Sequence, residues 1–148
     1  MYVVYLAVLA LLIAGVDIIV RDAPIFATLL LWLLVIKVGL GGIWAFMGHY
    51  FKSEEVAAYI GWPAGNPFQK EVAFTNLALG CCGLLCFFFR DGFWLATIVF
   101  ASVFLLGAFS VHMKNRDETG NTNPGNAGPV FYADILGPVA LWVLYFLK

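Results

Sequence analysis

The stretch IFATLLLWLLVIKVGLGGIWAFM, residues 25–47, sets the architecture. It carries a single charge, Lys37, and at about 1.5 Å of helical rise per residue it is long enough to cross the ~30 Å hydrocarbon layer of a bilayer. Four further runs have the same character: Tyr2 to Val20, Pro67 to Phe89, Phe93 to Val111 and Pro129 to Leu147. Between them they fill almost the whole chain. The expected fold is therefore all-α, an integral membrane bundle of five transmembrane helices forming one domain over residues 1–148, with spans at 2–20, 25–47, 67–89, 93–111 and 129–147.

Composition excludes the soluble classes. Apolar residues make up 63% of the chain and charged residues 11%, whereas a soluble domain carries roughly 25% charged residues. A net charge of −1 gives no basic surface for nucleic acid, so membrane lipid is the expected partner. The first span lacks a basic n-region and ends on Asp17 and Arg21 rather than on small residues, which reads as a retained helix and not a leader. Asp17 and Arg21 stand four apart and can pair on one face. Cys81, Cys82 and Cys86 crowd into the third span with neither zinc-knuckle nor disulfide-framework spacing, and read as packing residues.

Loop lengths are asymmetric. Arg21-Asp22-Ala23-Pro24 and Arg90-Asp91-Gly92 are tight helical-hairpin turns, so spans one and two, and spans three and four, should be antiparallel neighbours. The long loops share the other face, where Lys52, Lys70, Lys114 and Arg116 outnumber Arg21, Arg90 and Lys148 opposite. That bias assigns the long loops to the cytoplasmic side of the cell membrane. In the first long loop, Ser53 followed by Glu54 and Glu55 reads as an N-cap with acids in the first turn, and Gly61 as a C′ residue, predicting a short interfacial helix over Glu54 to Ile60 between the second and third spans. Asn66-Pro67-Phe68-Gln69 reads as a capping box opening the third span. The second loop, Lys114 to Gly128, is charged and then rich in Asn and Gly, and Pro129 opens the last span.

Ala45-Phe46-x-x-His49 closes the second span and Ala108-Phe109-x-x-His112 the fourth. Pro63-Ala64-Gly65-Asn66 precedes the third and Pro124-Gly125-Asn126 the fifth. This order fits a parallel two-helix repeat, spans 2–3 and 4–5. Chance recurrence in a chain rich in Ala, Phe and Gly is the competing account.

The repeat would put the chain's two histidines, His49 and His112, at one depth. Glu71 and Asp134 lie less than about 8 Å inside the same face by helical rise. These are residue types for a metal or proton site, although His at a helix end also interacts with the C-terminal dipole and last carbonyls. Pro138, four residues after Asp134, cannot donate to its carbonyl, so a carboxylate and a freed carbonyl coincide at one kink. Lys37 lies too deep for its ammonium to reach bulk water and should face protein or a wet cavity. Asn76 lies at a similar depth. Side chains lean toward their helix N-termini, so Lys37 and Asp134 would need water or Asn76 between them. A buried polar latch holding the bundle is the alternative. Gly39, Gly41, Gly42, Ala45, Gly80, Gly83, Gly107, Ala133 and Gly137 mark close helix contacts or a homo-oligomer face.

The text Ile60-Gly61-Trp62-Pro63-Ala64-Gly65-Asn66-Pro67-Phe68-Gln69-Lys70-Glu71-Val72, with Asn76-Leu77-Ala78-Leu79-Gly80, Pro124-Gly125-Asn126-Ala127-Gly128-Pro129 and Asp134, resembles a family of small bacterial and archaeal integral-membrane proteins bearing only a domain-of-unknown-function label. The likeness covers spans two to five and is carried by a Gly-Trp-Pro-x-Gly-Asn-Pro-Phe-Gln loop motif. It implies no activity, ligand or cofactor, only that the two long loops are the family's hallmark. No heme-attachment motif, Walker motif, nucleophile elbow or His-Glu-x-x-His occurs.

The expected function is a multi-pass membrane protein binding a small ligand or ion at a polar pocket formed by the 48–70 and 112–129 loops. Its candidate ligand-binding residues are His49, Asn66, Gln69, Glu71, Asn76, His112, Asn126, Asp134 and Lys37. Two alternatives stand beside it: an accessory subunit of a larger membrane complex or homo-oligomer, and a metal- or heme-binding redox protein using His49 and His112. No catalytic residue is assigned and an enzyme ranks last.

Overall fold

The computed structural model describes residues 2–148, and among them there is no strand. The helices are α1 (Tyr2–Arg21), α2 (Ile25–Trp32), a π-helical segment (Leu33–Leu40), α3 (Gly41–Phe51), α4 (Ser53–Ile60), α5 (Phe68–Leu85), α6 (Gly92–Thr119), α7 (Pro124–Ala127) and α8 (Pro129–Leu147). The α2, π and α3 segments form one unbroken rod, Ile25–Phe51. Among the described residues four helical stretches are long and apolar enough to cross a membrane: Tyr2–Arg21, Ile25–Phe51, Gly92–Thr119 and Pro124–Leu147. The third expected span, α5, falls outside that set because Gln69, Lys70 and Glu71 occupy its first turn and Thr75 and Asn76 its middle.

Large apolar side chains cover the outside of the bundle, with Ile19 83% exposed and Val103, Phe88 and Phe146 similarly bare. Water would penalise such a surface heavily and lipid does not. Inside, Leu30, Leu34, Ile98 and Leu141 are fully buried.

The rod and α5 meet backbone to backbone. A Cβ on Gly42 would stand 2.7 Å from the Gly80 Cα and from the Asn76 carbonyl oxygen, and one on Gly83 would stand 2.6 Å from the Gly39 Cα. These glycines are therefore used within the chain, where only hydrogen lets the helices approach so closely. On the other side, α1 is tied to the rod by Trp32 Nε1 donating to Asp17 at 2.8 Å, with Arg21 pairing to the same carboxylate at 3.1 Å. Trp142 Nε1 donates to Ser102 Oγ at 3.0 Å between α8 and α6.

At the hairpin end both tight turns place an aspartate at positive φ, Asp22 at 51° and Asp91 at 49°. Here α5 and α6 are closed together by Trp94 Nε1 on the Cys86 carbonyl (2.9 Å) and by Cys86 Sγ on Thr97 Oγ1 (3.4 Å). At the loop end they diverge around a cleft.

Two local expectations change. The α6 helix runs two turns beyond Val111 to Thr119, because Lys114, Arg116 and Glu118 favour helix and Lys114 pairs with Glu118 at 3.7 Å; it stops at left-handed Gly120. The short helix begins at Ser53, whose hydroxyl makes no cap bond, while Lys52 at the cap position pairs with Glu55 at 3.0 Å. The stop at Gly61 is as expected, with φ +83 and Gly61 and Trp62 amides returning to the Ala58 and Ala57 carbonyls.

Candidate functional site

The loop end is built around four asparagines. Asn115 Oδ1, on the last turns of α6, accepts from Trp62 Nε1 (3.0 Å) and from Asn121 Nδ2 (2.9 Å). Asn121 Nδ2 also donates to the Ile60 carbonyl at 3.0 Å, tying the end of α4 to the second loop. Its Oδ1 accepts from the Asn123 amide (3.0 Å) and side chain (2.8 Å). Fully buried Asn126 donates from Nδ2 to the Asn121 carbonyl at 2.8 Å. Its Oδ1 is thereby left as an acceptor, so the proton in the 2.8 Å contact with His112 sits on His112 Nδ1. The His112 ring stacks on Trp62 at 5.0 Å between centroids. His112 thus meets the first long loop at Trp62, and Asn126 holds its ring in place.

In front of Trp62 lies a cleft of about 480 Å³ between the diverging ends of α5 and α6, roofed by α4 and the loop after it. His49, Asn66 and Gln69 line it together with Trp62, Lys114, Asn115 and Glu118; Phe68, Val72 and Val111 supply an apolar side. Gln69 does not return to Asn66 as a capping box requires. Its Nε2 donates to the Ser53 carbonyl at 2.8 Å and directs its second hydrogen toward His49 Nδ1 at 3.5 Å. Asn66 does cap α5, accepting from the Phe68 amide at 3.0 Å. This arrangement sets an ammonium (Lys114), a carboxylate (Glu118), side-chain amides (Asn66, Gln69) and an imidazole beside apolar wall, which suits a small amphipathic or polar ligand.

A second, smaller cavity of about 70 Å³ lies inside the bundle, and Lys37, Asn76 and Asp134 line it. The candidate residues therefore divide. His49, Asn66 and Gln69 open on the outer cleft, His112 and Asn126 lie behind the Trp62 ring, and Lys37, Asn76 and Asp134 surround the inner cavity. Glu71 is exposed on α5 and lines neither. Among the described residues no group of three or more His, Cys, Asp or Glu side chains is placed to hold a metal ion. Sequence reasoning missed Asn115, Asn121, Lys114 and Glu118, because it read 114–119 as loop; the density of asparagine just beyond was the signal available.

An all-helical membrane protein with a cleft framed by its two long connections is the class that this fold and geometry define. Residues 1–148 match the family of unknown function DUF6790, and the chain belongs to that family. No curated protein and no solved structure matches it.

Proposed function

We propose that the protein is a multi-pass cell-membrane protein that captures a small ligand in the cleft between the 48–70 and 112–129 segments. The observation that carries this reading is the cleft itself: about 480 Å³, inside the range of roughly 300–1,000 Å³ usual for ligand pockets, with polar groups from both loops converging on it. In this reading α5 is the fifth crossing. Its polar residues are tolerated because Asn76 is covered by the rod and donates to the Val72 carbonyl at 2.9 Å, while Gln69 to Glu71 lie at the boundary. All long loops then share one face, which the lysine and arginine bias assigns to the cytoplasm. Packing of α5 on the rod and of α8 on α6 is what a two-helix duplication would produce.

The test is native mass spectrometry with elemental analysis of the purified protein in mild detergent, comparing wild type with His49→Ala/Gln69→Ala. Retention of a small molecule or ion by wild type and its loss from the variant is the expected result. Identical spectra from the two would remove the cleft from the account. His112 is left unchanged in this test because its removal would loosen the loops that frame the site.

A further inference from the structure

At the inner cavity two helical irregularities come together. Lys37 sits in the middle of the π-helical turns Leu33–Leu40, a backbone form that is rare and concentrated at functional sites. Opposite, Pro138 lies inside α8 and leaves the Asp134 carbonyl without its ladder partner. The lysine head lies against Gly137, where a Cβ would stand 2.6 Å from Nζ. Among the described residues no ion pair within 4.0 Å involves Lys37 or Asp134. Yet Asp134 is only 6% exposed, and among the described residues no fully sealed side-chain nitrogen or oxygen lacks a partner. Their polar atoms therefore reach the cavity.

Size and course narrow the occupant. About 70 Å³ admits a few waters and no organic molecule. The lining runs from Lys37 and Leu79 in mid-bundle to Tyr2 and Val130, at the loop-end starts of α1 and α8, so the cavity leads toward the loop end. The ionisable groups that face it are Tyr2 from α1, Lys37 from the π-helical segment and Asp134 from α8; α5 contributes neutral Asn76, α6 contributes Leu105, and α3 only Gly41, Gly42 and Ala45. A resident ammonium beside the carboxylate opposes a metal cation.

We propose that Lys37 and Asp134 form a water-bridged proton site, open to the loop face and closed at mid-bundle. In the internal step the ammonium releases a proton to cavity water, which delivers one to the carboxylate, leaving amine and carboxylic acid with no change in net charge. Uptake of one proton from the loop side re-forms the ammonium while the acid stays neutral, so the site gains one positive charge. The outer cleft plays no part in this step.

The test is infrared difference spectroscopy of the full chain in lipid nanodiscs and in oriented liposomes, alkaline against acid. The expected result is a reversible carboxylic-acid carbonyl band that responds to pH on the loop side only, is absent from Asp134→Asn, and is displaced in Lys37→Met and in Gly137→Ala. Should Asp134→Asn fail to fold, isotope-labelled aspartate in the wild-type chain assigns the band. A band that is missing at every pH at which the protein stays folded describes a static pair and overturns the proposal. So does one that survives Asp134→Asn, responds from the hairpin side, or follows sodium or potassium at fixed pH.

Discussion

Asn126 closes the second long loop onto α6 with one amide: its oxygen holds the His112 proton and its nitrogen the Asn121 carbonyl, with the side chain fully buried. Truncation strands the buried His112 N–H and frees the part-buried Asn121 carbonyl. Asn126→Ala is therefore expected to lower stability by about 2–3 kcal/mol, read as a fall in thermal midpoint in detergent. His49→Ala is expected to change it by less than about 1 kcal/mol, since Gln69 keeps its bond to the Ser53 carbonyl and the 3.5 Å contact it loses is at the outer limit for a hydrogen bond. The surroundings of the two histidines, alike in the sequence, thus separate in the same assay. At Asp22 the backbone is left-handed. Asp22→Gly should be neutral or slightly stabilising, whereas the β-branched Asp22→Val should cost about 1–2 kcal/mol of backbone strain.

At the level of elements, the rod and α5 depend on hydrogen at Gly39, Gly42, Gly80 and Gly83. Gly42→Ala and Gly83→Ala each place a methyl inside the opposing backbone, so the helices must separate. Loss of folded protein on size-exclusion chromatography is expected for both. Gly107→Ala is the control: nothing lies within 4 Å of the place its methyl would occupy, and it should raise the thermal midpoint through helix propensity, by up to about 1 kcal/mol. The π-helical turns carry the other consequence at this scale. By widening the rod at Leu33–Leu40 they set the face on which Lys37 emerges relative to α3, and so its meeting with Gly137. Alternation of apolar residues gave no sign of this, because a run that is apolar on every side carries no periodic signal from which a change of helical pitch could be read.

For the molecule as a whole, the five-crossing reading makes a topological prediction. With the native cysteines replaced, Glu54→Cys and Asp117→Cys should react with a membrane-impermeant thiol reagent from one side of a vesicle, and Asp22→Cys and Asp91→Cys from the other. Labelling of Glu54→Cys and Asp117→Cys from opposite sides would mean that α5 does not cross. The helical class, the tight turns at Asp22 and Asp91, the stop at Gly61 and the cap at Asn66 were all legible in the order of residues, because each depends on neighbours a few positions away. It took the packed bundle to show that His112 meets the first loop at Trp62 while His49 opens on a cleft, that Gly39, Gly42, Gly80 and Gly83 are used within the chain, and that Lys37 and Asp134 share a cavity. Those outcomes depend on helix rotation and on which faces meet, and a chain apolar on nearly every face leaves that choice to packing between residues far apart in sequence.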